Sequence, residues 1–167
     1  MKIFLIGLPG SGKTTLAKSL AEKLKLPFVD LDWEIEKLER LTINEIFQLK
    51  KENYFRQAES ALLKKYCASA ESFVMATGGG APCFFDNMNA MNRSGKTIFL
   101  DVPTKEIALR LTKSSLAQRP LFANMNGEVL KDKVEFLRSQ RISFYKQANF
   151  TFSGNEIAME EIITLLQ

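Results

Sequence analysis

The sequence contains no histidine and only two cysteines, Cys67 and Cys83, among its 167 residues. Without histidine, a general base would have to be a carboxylate, unless the chemistry needs little proton transfer. The two cysteines lack the spacing of a metal site or a redox motif. We therefore expect reduced thiols in a cytoplasmic protein.

Long apolar runs are also missing. Since roughly 20 consecutive apolar residues are needed to cross a bilayer, we expect no membrane partner. The apolar run 3–6 follows Lys2, ends in glycines and lacks a small-residue cleavage site. It predicts a strand rather than a signal peptide. The length fits one compact domain over residues 1–167.

Dense runs of one charge are absent as well, although 23 Lys and Arg against 19 Asp and Glu give a net charge of +4. The basic residues are spread beside acidic ones, without a basic stripe or an aromatic stacking platform. We therefore expect no nucleic-acid partner, and the small positive excess suits an anionic ligand. No heptad or large apolar face demands a second subunit, which favours a monomer.

Five short apolar runs predict five strands. They cover residues 2–6, 27–30, 73–77, 97–101 and 149–153. The runs are continuous rather than alternating, which is typical of strands buried on both faces of a parallel sheet. Helical patterns lie between them, and the pattern over 44–68 has a break near Lys51. This alternation predicts an α/β fold.

A glycine-rich segment follows the first predicted strand. Residues 7–14 read GLPGSGKT and fit the phosphate-loop pattern G-x-x-x-x-G-K-[ST]. Its glycines can turn N–H groups toward an anion, and the amphipathic helix that follows offers its positive end. Lys13 can reach the β- and γ-phosphates and the Thr14 hydroxyl can bind Mg²⁺. The segment predicts a nucleotide site without separating a kinase from a GTPase or a binding module.

Two carboxylates follow the second predicted strand. Asp30 and Asp32 are two residues apart, so on a strand they would point to one face, at the edge where ligands bind α/β sheets. One carboxylate near Mg²⁺ and one near an acceptor hydroxyl would suit phosphoryl transfer to an alcohol. Alternatively Asp32 caps the next helix, and both interpretations can hold together.

Two arginines lie on predicted helices with a partner on the same face. Arg56 is three residues before Glu59, and Arg141 is four residues before Tyr145. Each pair alone could be a surface ion pair or a packing feature. Two oriented arginines could also hold one carboxylate.

Two further segments suggest ligand contacts. Three consecutive glycines at 78–80 follow the third predicted strand, where close approach to a ligand would justify their entropic cost and a plain turn is the alternative. The long polar segment 115–128 predicts a lid that places Arg119 over the transferred phosphate, and an ordinary mobile loop is the alternative.

These motifs, in this order, resemble the shikimate kinase family from residue 2 to about 148. They are the phosphate loop, D-x-D, F-R-x-x-E, the triple glycine, R-P-L and R-x-x-x-Y. The resemblance implies a P-loop fold of the nucleoside-monophosphate-kinase type, with a five-stranded parallel sheet of order 2-3-1-4-5. It also implies ATP-dependent phosphorylation of the 3-hydroxyl of shikimate, on the route to chorismate and the aromatic amino acids.

The resemblance further implies roles for single residues. The implied catalytic residues are Lys13, Asp32 and Arg119, with Asp32 as the base. The implied shikimate-binding residues are Asp32, Arg56, Gly79, Gly80 and Arg141. The implied ATP-binding residues are Gly10, Ser11, Gly12, Lys13, Thr14, Thr15, Arg110 and Arg119. Thr14 would hold Mg²⁺, with Asp30 acting through water. A substrate-binding helical segment at about 32–60 and a lid at about 114–127 complete the implied domain.

The chain departs from the family at three positions. Arg40 and Lys51 stand where the family usually has glycine, at predicted helix junctions, so we expect small backbone changes rather than lost chemistry. Ser153 stands where an arginine often lies near the adenine.

Other functions fit the motifs less well. A gluconate kinase would be similar in build, but its usual histidine cannot exist here and two arginines suit a cyclic carboxylate better. A non-catalytic nucleotide-binding regulator would not need Asp32. An ATPase acting on nucleic acid would need the basic stripe that this sequence lacks.

Overall fold

In the computed structural model, strands and helices alternate along the described residues, which are 1–113, 122 and 125–166. The strands are β1 (Lys2–Ile6), β2 (Phe28–Asp30), β3 (Phe73–Ala76), β4 (Lys96–Asp101) and β5 (Phe150–Ser153). The helices are α1 (Lys13–Leu24), α2 (Leu31–Glu39), α3 (Ile43–Ala68), α4 (Asn87–Ser94), α5 (Thr104–Lys113), α6 (Gly127–Tyr145) and α7 (Met159–Leu166). A 3-10 turn covers Ala81–Cys83.

The strands described form one parallel sheet in the order β2-β3-β1-β4-β5. At its centre Leu5 of β1 lies between Ala76 of β3 and Ile98 of β4. The sheet order is the predicted one, and each observed strand matches its predicted range to within one residue at either end. The carboxyl ends of the strands share one edge, which positions the loops that follow them.

Both faces of the sheet are covered by helices. Phe4 and Ile6 point to the face that packs against helices α2 to α6, while Ile3 and Leu5 point to the face under α1 and α7. All four side chains are fully buried. Burial on both faces is why the strands read as continuous apolar runs. No helix in the part of the chain that the structure describes is long and apolar enough to span a bilayer.

Helix α3 is interrupted at Lys51, as the sequence predicts, with φ 72° and ψ 166° there. Glu39, at the end of α2, holds the residues on both sides of the break. Its carboxylate accepts hydrogen bonds from Lys50 Nζ at 2.6 Å and from Tyr54 OH at 3.0 Å. Arg40 ends α2 with φ 53°. Arg40 and Lys51 therefore both hold the left-handed φ that glycine would adopt more easily.

Replacing Lys51 by glycine should stabilise the protein. The backbone of Lys51 lies in a region that is nearly restricted to glycine and that costs other residues about 1–3 kcal/mol. The added freedom of the unfolded chain offsets part of the gain. We expect Lys51→Gly to raise the free energy of unfolding in denaturant by about 1 kcal/mol. The control Ala61→Gly, on the exposed side of the regular part of α3, should lower it by about 1 kcal/mol. Equal losses in both variants would contradict strain at Lys51.

One predicted element falls mostly outside the described residues. The lid, at about 114–127, includes Arg119 and the R-P-L motif, and these residues lie outside the described ranges. Helix α6 begins at Gly127, where the predicted lid ends.

Candidate active site

The carboxyl edge of the sheet opens into a cleft of about 760 Å³. The cleft is lined by most of the residues that the sequence singles out. They are Gly10, Gly12, Lys13, Thr14, Thr15, Asp30, Asp32, Arg56, Gly79, Gly80, Arg110 and Arg141. Ser11, which belongs to the phosphate loop, is buried and does not line the cleft. Arg119 is outside the described residues.

The phosphate loop takes the form expected of an anion site. Gly10 and Gly12 have φ of 84° and 92°, which lets the loop turn tightly, and Gly12 leads directly into α1. Lys13 Nζ donates to the carbonyl oxygens of Gly7 and Leu8, both at 2.9 Å, and so lies along the loop. The N–H groups of the first turn of α1 and the Lys13 cation give this end of the cleft a positive potential.

Helix α2 begins at Leu31, two residues earlier than a cap at Asp32 would place it. Strand β2 ends at Asp30, whose Oδ1 accepts from the N–H groups of Asp32 at 3.1 Å and Trp33 at 3.4 Å. Asp30 is therefore the helix cap. The sequence interpretation that Asp32 caps the helix is wrong, and so is its placement beside Asp30 on a strand, because Asp32 lies in the first turn of α2.

Thr14 and Asp30 form a pair that fits a magnesium ion. Thr14 Oγ1 donates to Asp30 Oδ2 at 2.9 Å, which brings a hydroxyl and a carboxylate together beside the phosphate loop. Mg²⁺ is commonly bound through one or two such oxygens, with phosphates and water as its other ligands. The donor set suits the ion that accompanies a nucleotide.

Asp32 carries a carboxylate in an environment that disfavours its charge. Its Oδ1 is buried and has no hydrogen-bond partner among the described residues. Burial raises the pKa of Asp32 to about 6, with a further contribution from Asp30, while Lys13 and Arg56 act in the opposite direction. Such a carboxylate can accept a proton near neutral pH.

Arg56 is held by two carboxylates on its own helix. Its Nη1 donates to Glu59 Oε2 at 2.8 Å, and its Nε and Nη2 donate to Glu52 Oε1 at 3.3 and 3.2 Å. Within the described residues these bonds occupy three of the five guanidinium N–H groups. One N–H remains on each of Nη1 and Nη2, and together they form the fork that a carboxylate can accept.

The three glycines leave room for the charged side chains. A Cβ atom at Gly78 would lie 2.7 Å from Glu59 Oε1, and one at Gly80 would lie 2.5 Å from Arg56 Nη2. A Cβ atom at Gly79 would lie 2.7 Å from a carbon of Pro9. None of the three has a positive φ. The triplet is therefore explained by crowding and not by an unusual backbone conformation.

Arg141 lies on helix α6 and extends toward the glycine segment. It is only 8% exposed, and its Nη1 is buried without a hydrogen-bond partner among the described residues. One turn later, Tyr145 donates its hydroxyl to Gly79 O at 2.5 Å and packs its ring on Phe99. The spacing of four residues thus brings a cation and a backbone anchor to the same end of the cleft.

Arg110 connects three parts of the cleft rim. Its Nε donates to Glu106 Oε1 at 2.7 Å, its Nη1 to Ser11 O at 3.4 Å, and its Nη2 to Asn155 O. It therefore lies across the phosphate loop, next to the segment that follows β5. The predicted ATP contact of Arg110 remains a prediction.

Sequence reasoning missed two residues of the site. Glu52 binds the Arg56 guanidinium, and the i, i+4 spacing of the two residues could have revealed it. Gly78 faces both Asp32 and Glu59, but only its place in the glycine triplet pointed to it.

Comparisons with known proteins agree with this geometry. The family model for shikimate kinase matches residues 9–167. A shikimate kinase of Bacteroides fragilis is 43% identical over 157 residues, which cover 94% of this chain and 87% of that protein. The crystal structure of shikimate kinase from Bacteroides thetaiotaomicron is 40% identical, with a TM-score of 0.90 and coverage of 100% of this chain and 96% of that one.

A third similar protein is the shikimate kinase of Acinetobacter baumannii, solved in complex with shikimate. It is 32% identical, with a TM-score of 0.87, and the match covers 98% of this chain and 91% of that one. The likeness thus extends from the phosphate loop through both arginines to the C-terminal helix. On the evidence of sequence and fold together, this chain belongs to the shikimate kinase family.

Proposed function

We propose that this protein transfers the γ-phosphoryl group of ATP to the 3-hydroxyl of shikimate, giving shikimate 3-phosphate and ADP on the route to chorismate and the aromatic amino acids. The observation that carries the proposal is one cleft that holds a phosphate loop, the buried carboxylate of Asp32, and the guanidinium groups of Arg56 and Arg141. The related Acinetobacter baumannii enzyme binds shikimate, which supports this choice of acceptor.

ATP and Mg²⁺, which shikimate kinases use, would occupy the end of the cleft that contains the phosphate loop. Thr14 would hold the ion, with Asp30 acting through water. The bound ion neutralises phosphate charge. Lys13 can swing from the loop carbonyls toward the transferred phosphoryl group. The lid at about 114–127, with Arg119, would close over it and exclude water.

Shikimate would occupy the other end of the cleft, in a substrate-binding segment at about 32–60. Arg56 presents its free fork and Arg141 its unpartnered N–H to the carboxylate. Gly79 and Gly80 allow the backbone to approach the ring hydroxyls. Asp32 then accepts the proton of the 3-hydroxyl as the oxygen attacks phosphorus.

The proposal is tested by measuring ADP release with ATP, Mg²⁺ and either shikimate or gluconate as acceptor. We expect turnover with shikimate and none above the background ATP hydrolysis with gluconate. Trp33, the only tryptophan, lines the cleft and gives a binding signal that does not depend on chemistry. Shikimate-independent ADP release, with no change in Trp33 emission on adding shikimate, would exclude this function.

The activity should fall in acid. The pH dependence of kcat/KM reports the pKa values of essential groups in the free enzyme. Here burial raises the pKa of Asp32 to about 6 and that of Glu59 to about 7, and both groups must lose a proton for activity. We expect kcat/KM for shikimate to rise from pH 5 and to level off near pH 8. The two carboxyl groups interact, so this rise belongs to the pair.

A conservative variant separates the two groups. Glu59→Gln should make the acid limb less steep, because only Asp32 then titrates in this range. A profile that stays flat between pH 5 and pH 8 in the unmodified enzyme would exclude both carboxylates from the step.

We also propose that the enzyme is a monomer in the cytoplasm. Both cysteines, Cys67 and Cys83, are free thiols, which is typical of proteins from a reducing compartment. Light scattering after gel filtration should give a mass near 18.9 kDa, and a mass of twice that value would contradict the monomer.

A further inference from the structure

The Arg56 guanidinium lies over the face of an aromatic ring that no step above uses. The guanidinium carbon lies 4.6 Å from the centroid of the Phe84 ring. Glu52 and Glu59 bind the edges of the guanidinium, and neither contact prevents the guanidinium from tilting about those edges. Glu52 is also half-exposed, so water competes for that edge.

We propose that Phe84 is a positioning residue that fixes the plane of the Arg56 guanidinium for the substrate carboxylate. This inference rests on the proposed function. A cation over an aromatic face is attracted by the ring quadrupole, and the ring also blocks tilting toward its side. Bidentate binding of a carboxylate requires a defined guanidinium plane, so loss of the ring should weaken shikimate binding in particular.

Phe84 is itself held by a short rigid segment. The 3-10 turn before it is closed by Cys83 N–H, which donates to Gly80 O at 2.9 Å. After it, Asn87 N–H donates to Phe84 O at 3.0 Å, and the buried Asn87 side chain donates to Ala81 O at 2.9 Å. Gly80 also lies against the Arg56 guanidinium. The segment from Gly80 to Asn87 therefore positions both the Phe84 ring and Gly80 against the Arg56 guanidinium.

The second ring near Arg56 has a different role. Phe55 lies 5.1 Å from the guanidinium carbon, but it is buried in the core, with its ring centroid 4.9 Å from that of Phe47. Its loss would unsettle the fold. Phe84 is 37% exposed, so its replacement costs less packing than that of Phe55.

The test compares the kinetics of Phe84→Leu, Phe84→Tyr and Phe85→Leu. Leucine keeps an apolar side chain but removes the ring, so Phe84→Leu should raise the KM for shikimate about tenfold, change kcat less than twofold and leave the KM for ATP unchanged. Phe84→Tyr should keep the wild-type values. Phe85 is the matched control, since it is 47% exposed and binds Lys64 only through its carbonyl oxygen. Phe85→Leu should also behave as wild type.

Three outcomes would overturn the inference while leaving the proposed function intact. They are a wild-type KM for shikimate in Phe84→Leu, an equal rise in Phe84→Tyr, and a parallel rise in the KM for ATP that marks a general loss of structure. A wild-type enzyme that does not turn over shikimate would overturn the proposed function and this inference together.

Discussion

Asp32→Asn is expected to lower kcat by about 10²- to 10⁴-fold, the range that a positioned general base contributes, while ATP still binds. The side chain keeps its shape but can no longer accept the proton of the attacking hydroxyl. The phosphate loop keeps its own hydrogen bonds in this variant, since Lys13 Nζ, which also acts electrostatically on Asp32, donates to the carbonyls of Gly7 and Leu8. Steady-state kinetics and nucleotide binding followed through Trp33 would measure the two effects separately.

The same substitution should stabilise the fold at neutral pH. The pKa of Asp32 rises from an ordinary value of 3.8 to about 6 in the folded protein, so the folded state binds more protons than the unfolded state between these values. The contribution of Asp32 to the stability of the wild type therefore falls as the pH rises from about 4 to about 6, and it stays lower above pH 6. Asparagine does not ionise and avoids this loss, which corresponds to about 3 kcal/mol at most.

The gain in Tm from Asp32→Asn should consequently be larger at pH 8 than at pH 4.5. Glu34→Gln is the matched control, because Glu34 lies on the same helix, forms an exposed ion pair with Lys37 and accepts from Tyr66 OH, a hydrogen bond that glutamine can also accept. It should change neither kcat nor Tm appreciably. Normal turnover by Asp32→Asn would remove Asp32 from the chemical step, and a lower Tm at pH 8 would contradict an uncompensated buried carboxylate.

The sheet could be predicted from the sequence because its signals are local. Each strand is a continuous apolar run, and the phosphate loop fixes where the first strand ends and α1 begins. The pairing of Arg56 with Glu59 also follows from local spacing, since residues three apart share a helix face.

Other parts of the site depend on contacts between distant segments. Whether Asp30 or Asp32 caps α2 is decided by which side chain the backbone aims at the first N–H groups, and the spacing alone permits either. The role of Gly78 is set by Glu59 and Asp32, which come from two different helices. Phe84 reads as an ordinary apolar residue until the fold places it against Arg56.

Replacing either arginine by methionine should raise the KM for shikimate about 100-fold, as expected when a charged hydrogen-bonded contact worth about 3 kcal/mol is lost. The two variants should nevertheless differ in stability. Arg56 compensates the charge of Glu59, which is fully buried, so Arg56→Met should lower the free energy of unfolding by about 3 kcal/mol. Arg141 carries a buried Nη1 without a described partner and acts on the Glu59 carboxylate less strongly than Arg56 does, so Arg141→Met should lower stability by less than Arg56→Met.

The loss of stability in Arg56→Met should grow as the pH rises. Burial raises the pKa of Glu59 to about 7 even with Arg56 present, so without Arg56 the carboxyl group is kept neutral by a proton, which becomes harder to retain as the pH rises. Adding Glu59→Gln to Arg56→Met should therefore restore stability at pH 8 but not the binding of shikimate. Equal stability losses in the two methionine variants, or no recovery in the double variant, would show that Glu59 does not depend on Arg56 for its burial.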